Sequence, residues 1–273
     1  MPSIEENRFW GQYAWPQDGA EWSNEWGDVE THWYITILPR IRRFLPAKRI
    51  LEIAPGFGRW SGFLIDRAEQ YVGIDLNPEC TAACQKRFAD ADHAKFGTND
   101  GKSLDAVPNN SVDLAFSFDS LVHVEIDVIS SYLRELSQKL APNGIAFLHH
   151  SNLGEYDGLP LREAERLKRL TIKWPLVPKI LDRLQITNWS HWRARSVTSK
   201  SFAASSSTNG LKCIGQEIIR WGRHNRRMID CLSTITRPGS KWERSNVVIR
   251  NPYFMAEAAS ARVVSRMYAS LPS

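Results

Sequence analysis

Cysteine and methionine are scarce, with four of each in 273 residues. Cys80, Cys84, Cys213 and Cys231 have neither the tight pairing of a structural zinc site nor the spacing of a disulfide framework. Buried free thiols in a reducing, cytoplasmic setting are the expectation. No run of 18 apolar residues occurs, so no transmembrane helix is expected. Met1 to Asn7 is polar and acidic and lacks the apolar core of a signal peptide. Internal repeats and low-complexity linkers are also missing. With 42% apolar residues, the chain can bury one large α/β core and carry an appended subdomain.

Acidic residues are sparse in the second half. Residues 1–152 hold 14 Lys/Arg against 21 Asp/Glu, whereas residues 153–273 hold 21 against 9. The second half suits an anionic partner, such as an acidic or phosphorylated substrate, a membrane surface or nucleic acid. A solvated basic face with no specific ligand explains the same count. Tryptophan, in contrast, is abundant. Trp10, Trp15, Trp22, Trp26 and Trp33 crowd the first 33 residues, and Trp174, Trp189, Trp192, Trp221 and Trp242 fall in the second half. Some must pack the core, and the rest suit stacking on a flat or ring-shaped ligand.

The organising stretch is residues 49–60. An apolar run ends in a Gly-rich turn, and a helix-compatible segment follows at once. That predicts a buried parallel strand, a tight turn and a helix whose first amides face the turn. Residues 70–76 form the next apolar run, closed by Asp75 and Leu76. Asp75 lies 19 residues after Gly56, near the spacing at which a carboxylate meets a ribose. Strand, glycine turn, helix, strand and acid in this order point to an adenosine-containing cofactor. The turn lacks the third glycine of a dinucleotide fingerprint and reads Glu52-x-Ala54-Pro55-Gly56-x-Gly58. In this it resembles the class I S-adenosylmethionine-dependent methyltransferases. Their cofactor carries a cationic amino group and a sulfonium, which a carboxylate such as Glu52 suits and which a dinucleotide phosphate does not share. The resemblance implies a Rossmann-like, doubly wound α/β sheet of seven strands with the last antiparallel. It implies a cofactor site built from Glu52, Ala54, Gly56, Gly58, Arg59, Trp60, Asp75, Leu76, Asp100, Gly101 and Phe118.

The remaining pattern divides the chain into four parts. Residues 1–47 form an N-terminal lid ending in a helix near 28–44, kinked at Pro39, with His32, Trp33 and Tyr34 as lid contacts or packing residues. Residues 48–152 form the cofactor-binding core. They contain a helix opened by Asn77-Pro78, a strand at 94–98, an Asn99-Asp100-Gly101 turn, a strand at 111–118 and an amphipathic helix at 126–140. The resemblance gives Asp100 the adenine amino group, and an Asx-turn role competes. Strand five ends in His149-His150-Ser151-Asn152, where alternation lets only one of the two histidines aim into a given pocket. Residues 153–195 form a helical cap insertion, through its helices at 161–170 and 176–184, with peripheral membrane contact as a rival use. Residues 196–273 complete the sheet with strands near 211–221 and 229–237, then a tail and a final helix.

Methyl transfer to a hydroxyl calls for a general base. His150, His149 and His123 lie at the carboxyl edges of neighbouring strands and are the candidates, with Asp119 to orient one of them or to hold a metal. Some resembling sugar methyltransferases activate the hydroxyl with a divalent metal, but no acidic pair follows strand five, so no metal site is assigned. Residues 118–125 and 149–152 resemble bacterial methyltransferases of polysaccharide and glycolipid modification. The motif of base-amino methylation, Asn-Pro-Pro-Tyr, is missing. The expectation is O-methylation of a sugar or saccharide-linked small molecule, anionic groups included. An RNA methyltransferase, a natural-product or lipid methyltransferase and a binding module without turnover are the rivals.

Overall fold

The computed structural model describes residues 13–156, 193–222 and 227–269. Among these residues the strands are β1 Ala47–Ile53, β2 Ala68–Asp75, β3 Ala94–Thr98, β4 Val112–Ser117, β5 Leu140–Ser151, β6 Lys212–Ile219, β7 Asp230–Thr236 and β8 Val247–Asn251. They form one sheet in the order β3-β2-β1-β4-β5-β7-β6-β8. β7 runs antiparallel to both of its neighbours, and every other pairing is parallel. The chain order reverses between β1 and β4, the place where open α/β sheets bind ligands beyond their carboxyl ends.

The sheet has eight strands among the described residues rather than seven. The tail segment Val247–Asn251 adds β8 beside β6 in register from Gly215↔Val247 to Ile219↔Asn251. Its Val-Val-Ile run has strand propensity but no flanking alternation to separate it from a tail.

Among the described residues, the helices of eight or more residues are Pro78–Arg87, Ile126–Lys139, Ser199–Thr208 and Phe254–Ala269. Asn77 caps the first, its side chain accepting from Glu79 N at 2.9 Å. Thr198 and Ser201 form a reciprocal capping box on the third. That helix runs on through the serines Ser205–Ser207 to Thr208. The helix after the first strand is only Ser61–Ile65, and turns occupy residues 56–60 before it.

The N-terminal helix is one run of mixed pitch. An α-turn Val29–His32 passes into a π-turn Trp33–Ile37, then Leu38–Ile41 and a 3-10 turn Arg42–Phe44. Trp33, Ile37 and Ile41 are buried on the sheet with Ile50, Leu114 and Phe116. Arg40 holds this run against the sheet, pairing both Glu217 oxygens of β6 at 2.7 Å and Glu257 of the last helix at 3.3 Å. The opposite face carries Leu133, Leu136 and Phe202 against Ala115, Ala146 and Leu148. Period-two alternation therefore sends Phe147 and His149 to the first face, Leu148 and His150 to the second. The cap-insertion helices at 161–170 and 176–184 lie outside the described residues. No helix among the described residues is long and apolar enough to cross a membrane.

Candidate functional site

A cavity of about 730 Å³ opens at the carboxyl ends of β1, β2 and β4. Its floor is the turn after β1, where Ala54, Gly56 and Gly58 all have positive φ, at 57°, 60° and 85°. Gly58 has a second constraint, since a Cβ there would stand 2.6 Å from the Phe88 ring. The φ at Ala54 is a strained value for a residue with a side chain. Ser120 Oγ donates to the Ala54 carbonyl at 2.9 Å and ties this turn to the loop after β4.

Asp75 ends β2 and lines the cavity. Its carboxylate accepts from Gly56 N at 3.0 Å and Asn77 N at 2.8 Å, which fixes the turn to the strand end. Burial pushes its carboxyl above the usual range, and the amide bonds partly offset this. Leu76, Asp100 and Gly101 line the same side. Asp100 is exposed and accepts from Lys102 N and Ser103 N, the Asx-turn arrangement, and those amides hold its carboxyl below the usual range. Arg59, Trp60, Phe118, Asp119 and His123 also line the cavity.

Glu52 does not line it. Its side chain is buried beneath the turn and accepts hydrogen bonds from Ser61 Oγ at 2.8 Å and from the Tyr71 hydroxyl. Burial pushes the carboxyl up to about 7. Glu52 therefore stands under the turn rather than facing the cavity, enclosed by Ser61 and Tyr71. Gly58 likewise shapes the turn from below, packed against Phe88 and Cys84, and does not line the cavity.

The two histidines of β5 are separated, and neither lines the cavity. His150 stacks on Phe202 at 4.0 Å on the far face. Its Nδ1 donates to the Ser151 carbonyl and its Nε2 accepts from Ser233 Oγ, each at 2.8 Å. Burial lowers its pKa to about 3, so the ring is neutral and saturated. His149 Nδ1 accepts from Asp119 N at 3.1 Å, which places its proton on Nε2. Nε2 stands 3.3 Å from Asp230 Oδ2, outside good hydrogen-bond alignment. His149 is therefore a support for Asp119. His123, in the 3-10 turn Leu121–His123, is the candidate histidine that reaches the cavity wall.

Asp119, with φ of 65°, sits between two guanidinium groups, Arg59 Nη2 at 3.1 Å and Arg193 Nη2 at 3.8 Å. Arg193 is buried, lines the cavity, and pairs with both oxygens of Asp230 at 2.8 and 3.0 Å. This pairing holds the Asp230 carboxyl down at about 2 against the effect of its burial. The chain Arg59–Asp119–Arg193–Asp230–His149 spans three strand ends. Sequence reading missed Arg193 and Asp230. An antiparallel strand seven has its first residues at the carboxyl edge of strand five, and that topology points to Asp230.

Trp15, Trp22, Trp26, Trp60 and Trp221 form the aromatic wall. Trp15 stacks on Phe57 at 4.8 Å, within 3.1 Å of where a Cβ on Gly56 would be. His32 and Trp33 are buried in packing, and Tyr34 is half exposed. His32 stacks on Trp26 at 3.4 Å and meets Trp60 edge-on, so it backs the wall.

Residues 50–144 match the family model described as a methyltransferase domain. The chain is similar in fold to an S-adenosylmethionine-dependent methyltransferase from Mesorhizobium loti, 17% identical over 77% of this chain and 99% of that one, with a TM-score of 0.52. A second, from Methanosarcina mazei, is 17% identical over 73% and 97%, TM-score 0.51. A third, from Clostridium acetobutylicum, is 11% identical over 76% and 91%, TM-score 0.53. No curated protein sequence matches the chain. Residues 50–144 are thus similar to a methyltransferase domain, and the sheet that carries them shares the fold of solved S-adenosylmethionine-dependent methyltransferases.

Proposed function

We propose that the protein methylates a hydroxyl of a small, ring-bearing acceptor, a sugar or saccharide-linked molecule, with S-adenosylmethionine as donor. The observation that carries this is one cavity joining the Gly56–Asp75 turn to a wall of five tryptophans. A concave site of this size, rich in aromatic faces, suits a small molecule better than an extended nucleic acid. The residues present fit the donor. Gly56 lets the Trp15 ring close down on the turn at the cavity wall, Asp75 offers a carboxylate to a ribose, and Arg59 is charged and nine-tenths buried. When bound, the donor supplies an electrophilic methyl group on a sulfonium.

The chain's own residues then have three tasks. The tryptophans clamp the acceptor ring and exclude water. His123 takes the hydroxyl proton at a ring nitrogen as the methyl group is accepted. Asp119, fixed by His149 and the two arginines, holds the loop that presents His123. Incubation with isotopically labelled donor and fractionated cell extract tests the reading. A labelled saccharide is the expected product, and a labelled RNA or lipid would replace the acceptor class.

A further inference from the structure

Two opposite charges meet the cavity with unfilled bonding capacity. Glu21, in the 3-10 turn Ala20–Ser23, accepts from the Tyr13 hydroxyl at its Oε1, 2.9 Å away. Its Oε2 is buried and has no hydrogen-bond partner among the described residues. Arg59 gives Nη2 to Asp119 and lays its guanidinium over Trp60 at 4.6 Å, while its buried Nη1 has no partner among the described residues. Both residues line the cavity, and no ion pair joins them among the described residues. The segments that carry them are in contact, because a Cβ on Gly19 would lie 3.8 Å from Arg59 Cβ. A buried carboxylate oxygen and a buried guanidinium nitrogen left bare each cost free energy, and a ligand that fills both removes the two penalties together.

We infer that Glu21 and Arg59 form a clamp for an α-amino acid zwitterion, with Glu21 binding the ammonium and Arg59 the carboxylate. The occupant is the amino acid end of the methyl donor, so the inference rests on the donor reading above. Glu21 belongs to the N-terminal segment that also places Trp15 over Gly56, so filling the clamp fastens that segment to the turn. The structure thus moves the ligand's counter-charge from Glu52, under the turn, to Glu21, above it.

Calorimetry with three ligands tests this: S-adenosylhomocysteine, its decarboxylated amine, and 5′-methylthioadenosine, which has no amino acid end. Glu21→Gln is expected to weaken the first two roughly 10- to 100-fold, the range of a charged hydrogen bond, and to leave methylthioadenosine unchanged. Arg59→Gln is expected to weaken S-adenosylhomocysteine alone. Retained methylthioadenosine binding reports that each variant is folded. Equal loss of all three ligands in Glu21→Gln, or unchanged binding of all three, overturns the clamp. A wild-type protein that binds the nucleosides without preferring the amino acid end also overturns it. If the wild type binds none of the three, the donor reading falls and the clamp falls with it.

Discussion

At the scale of single residues, burial decides chemistry. Glu52 and His150 are both buried and titratable, and their slopes against pH have opposite signs. The Glu52 carboxyl is raised from 4.5 to about 7, so between those values the native state holds a proton that the unfolded chain has lost. Stability from this site is present below pH 4.5 and falls as pH rises to about 7, by on the order of 3 kcal/mol. His150 is lowered from 6.5 to about 3, so its site loses stability as pH falls from 6.5 towards 3. Urea denaturation at pH 5 and pH 8 should show Glu52→Gln gaining on wild type at pH 8, by about that amount. An unchanged difference between the two pH values would mean that Glu52 is ionised in the fold. His123→Asn should lower kcat by roughly 10²- to 10⁴-fold with S-adenosylhomocysteine affinity unchanged. His150→Gln should keep kcat near wild type in whatever fraction stays folded, and a collapse of kcat there would return the base to strand five. Sequence alternation shows that the two histidines of β5 part company. It does not show which goes where, because that depends on which face the N-terminal helix covers.

At the scale of elements, the strand–turn–strand unit was legible because each part carries its own chemistry. Residues 49–60 needed an apolar run and glycines, and Asp75 needed only the right distance. Gly58→Ala should cost about 1–3 kcal/mol from its positive φ, with further loss from the 2.6 Å approach to Phe88, read as a lowered denaturation midpoint and weaker donor binding. The illegible parts depend on partners far away in sequence. β8 exists because β6 offers it an edge, and Arg40 matters because Glu217 and Glu257 converge on it from 177 and 217 residues away. Arg40→Ala would leave Glu217 mostly buried without its cation and should lower stability by about 2–4 kcal/mol, measured by chemical denaturation. A loss below 0.5 kcal/mol would reduce that tie to an ordinary surface pair.

At the scale of the whole molecule, the sheet, the helices on its two faces and the aromatic cavity make the site a seam between distant segments. The N-terminal segment, the turn after β1, the loop after β4 and Arg193 all meet there. Ligand binding should therefore stabilise the entire fold, by about 2.7 kcal/mol when S-adenosylhomocysteine is present at 100 times its Kd. A thermal shift that is absent at saturation would show that the cavity is not the donor site. The π-turn at Trp33–Ile37 gives this seam a fixed phase. A π-turn holds one residue more than an α-turn over the same length, and each residue of an α-helix advances about 100° around the axis. Deleting the exposed Ile35 would let the helix close into regular pitch and rotate everything before it by about that angle. His32 would leave the back of Trp26, and the wall would lose its alignment with the turn. The segment should accept changes of side chain at its exposed positions yet reject a change of length, so in a library of single-residue deletions it would appear as a gap.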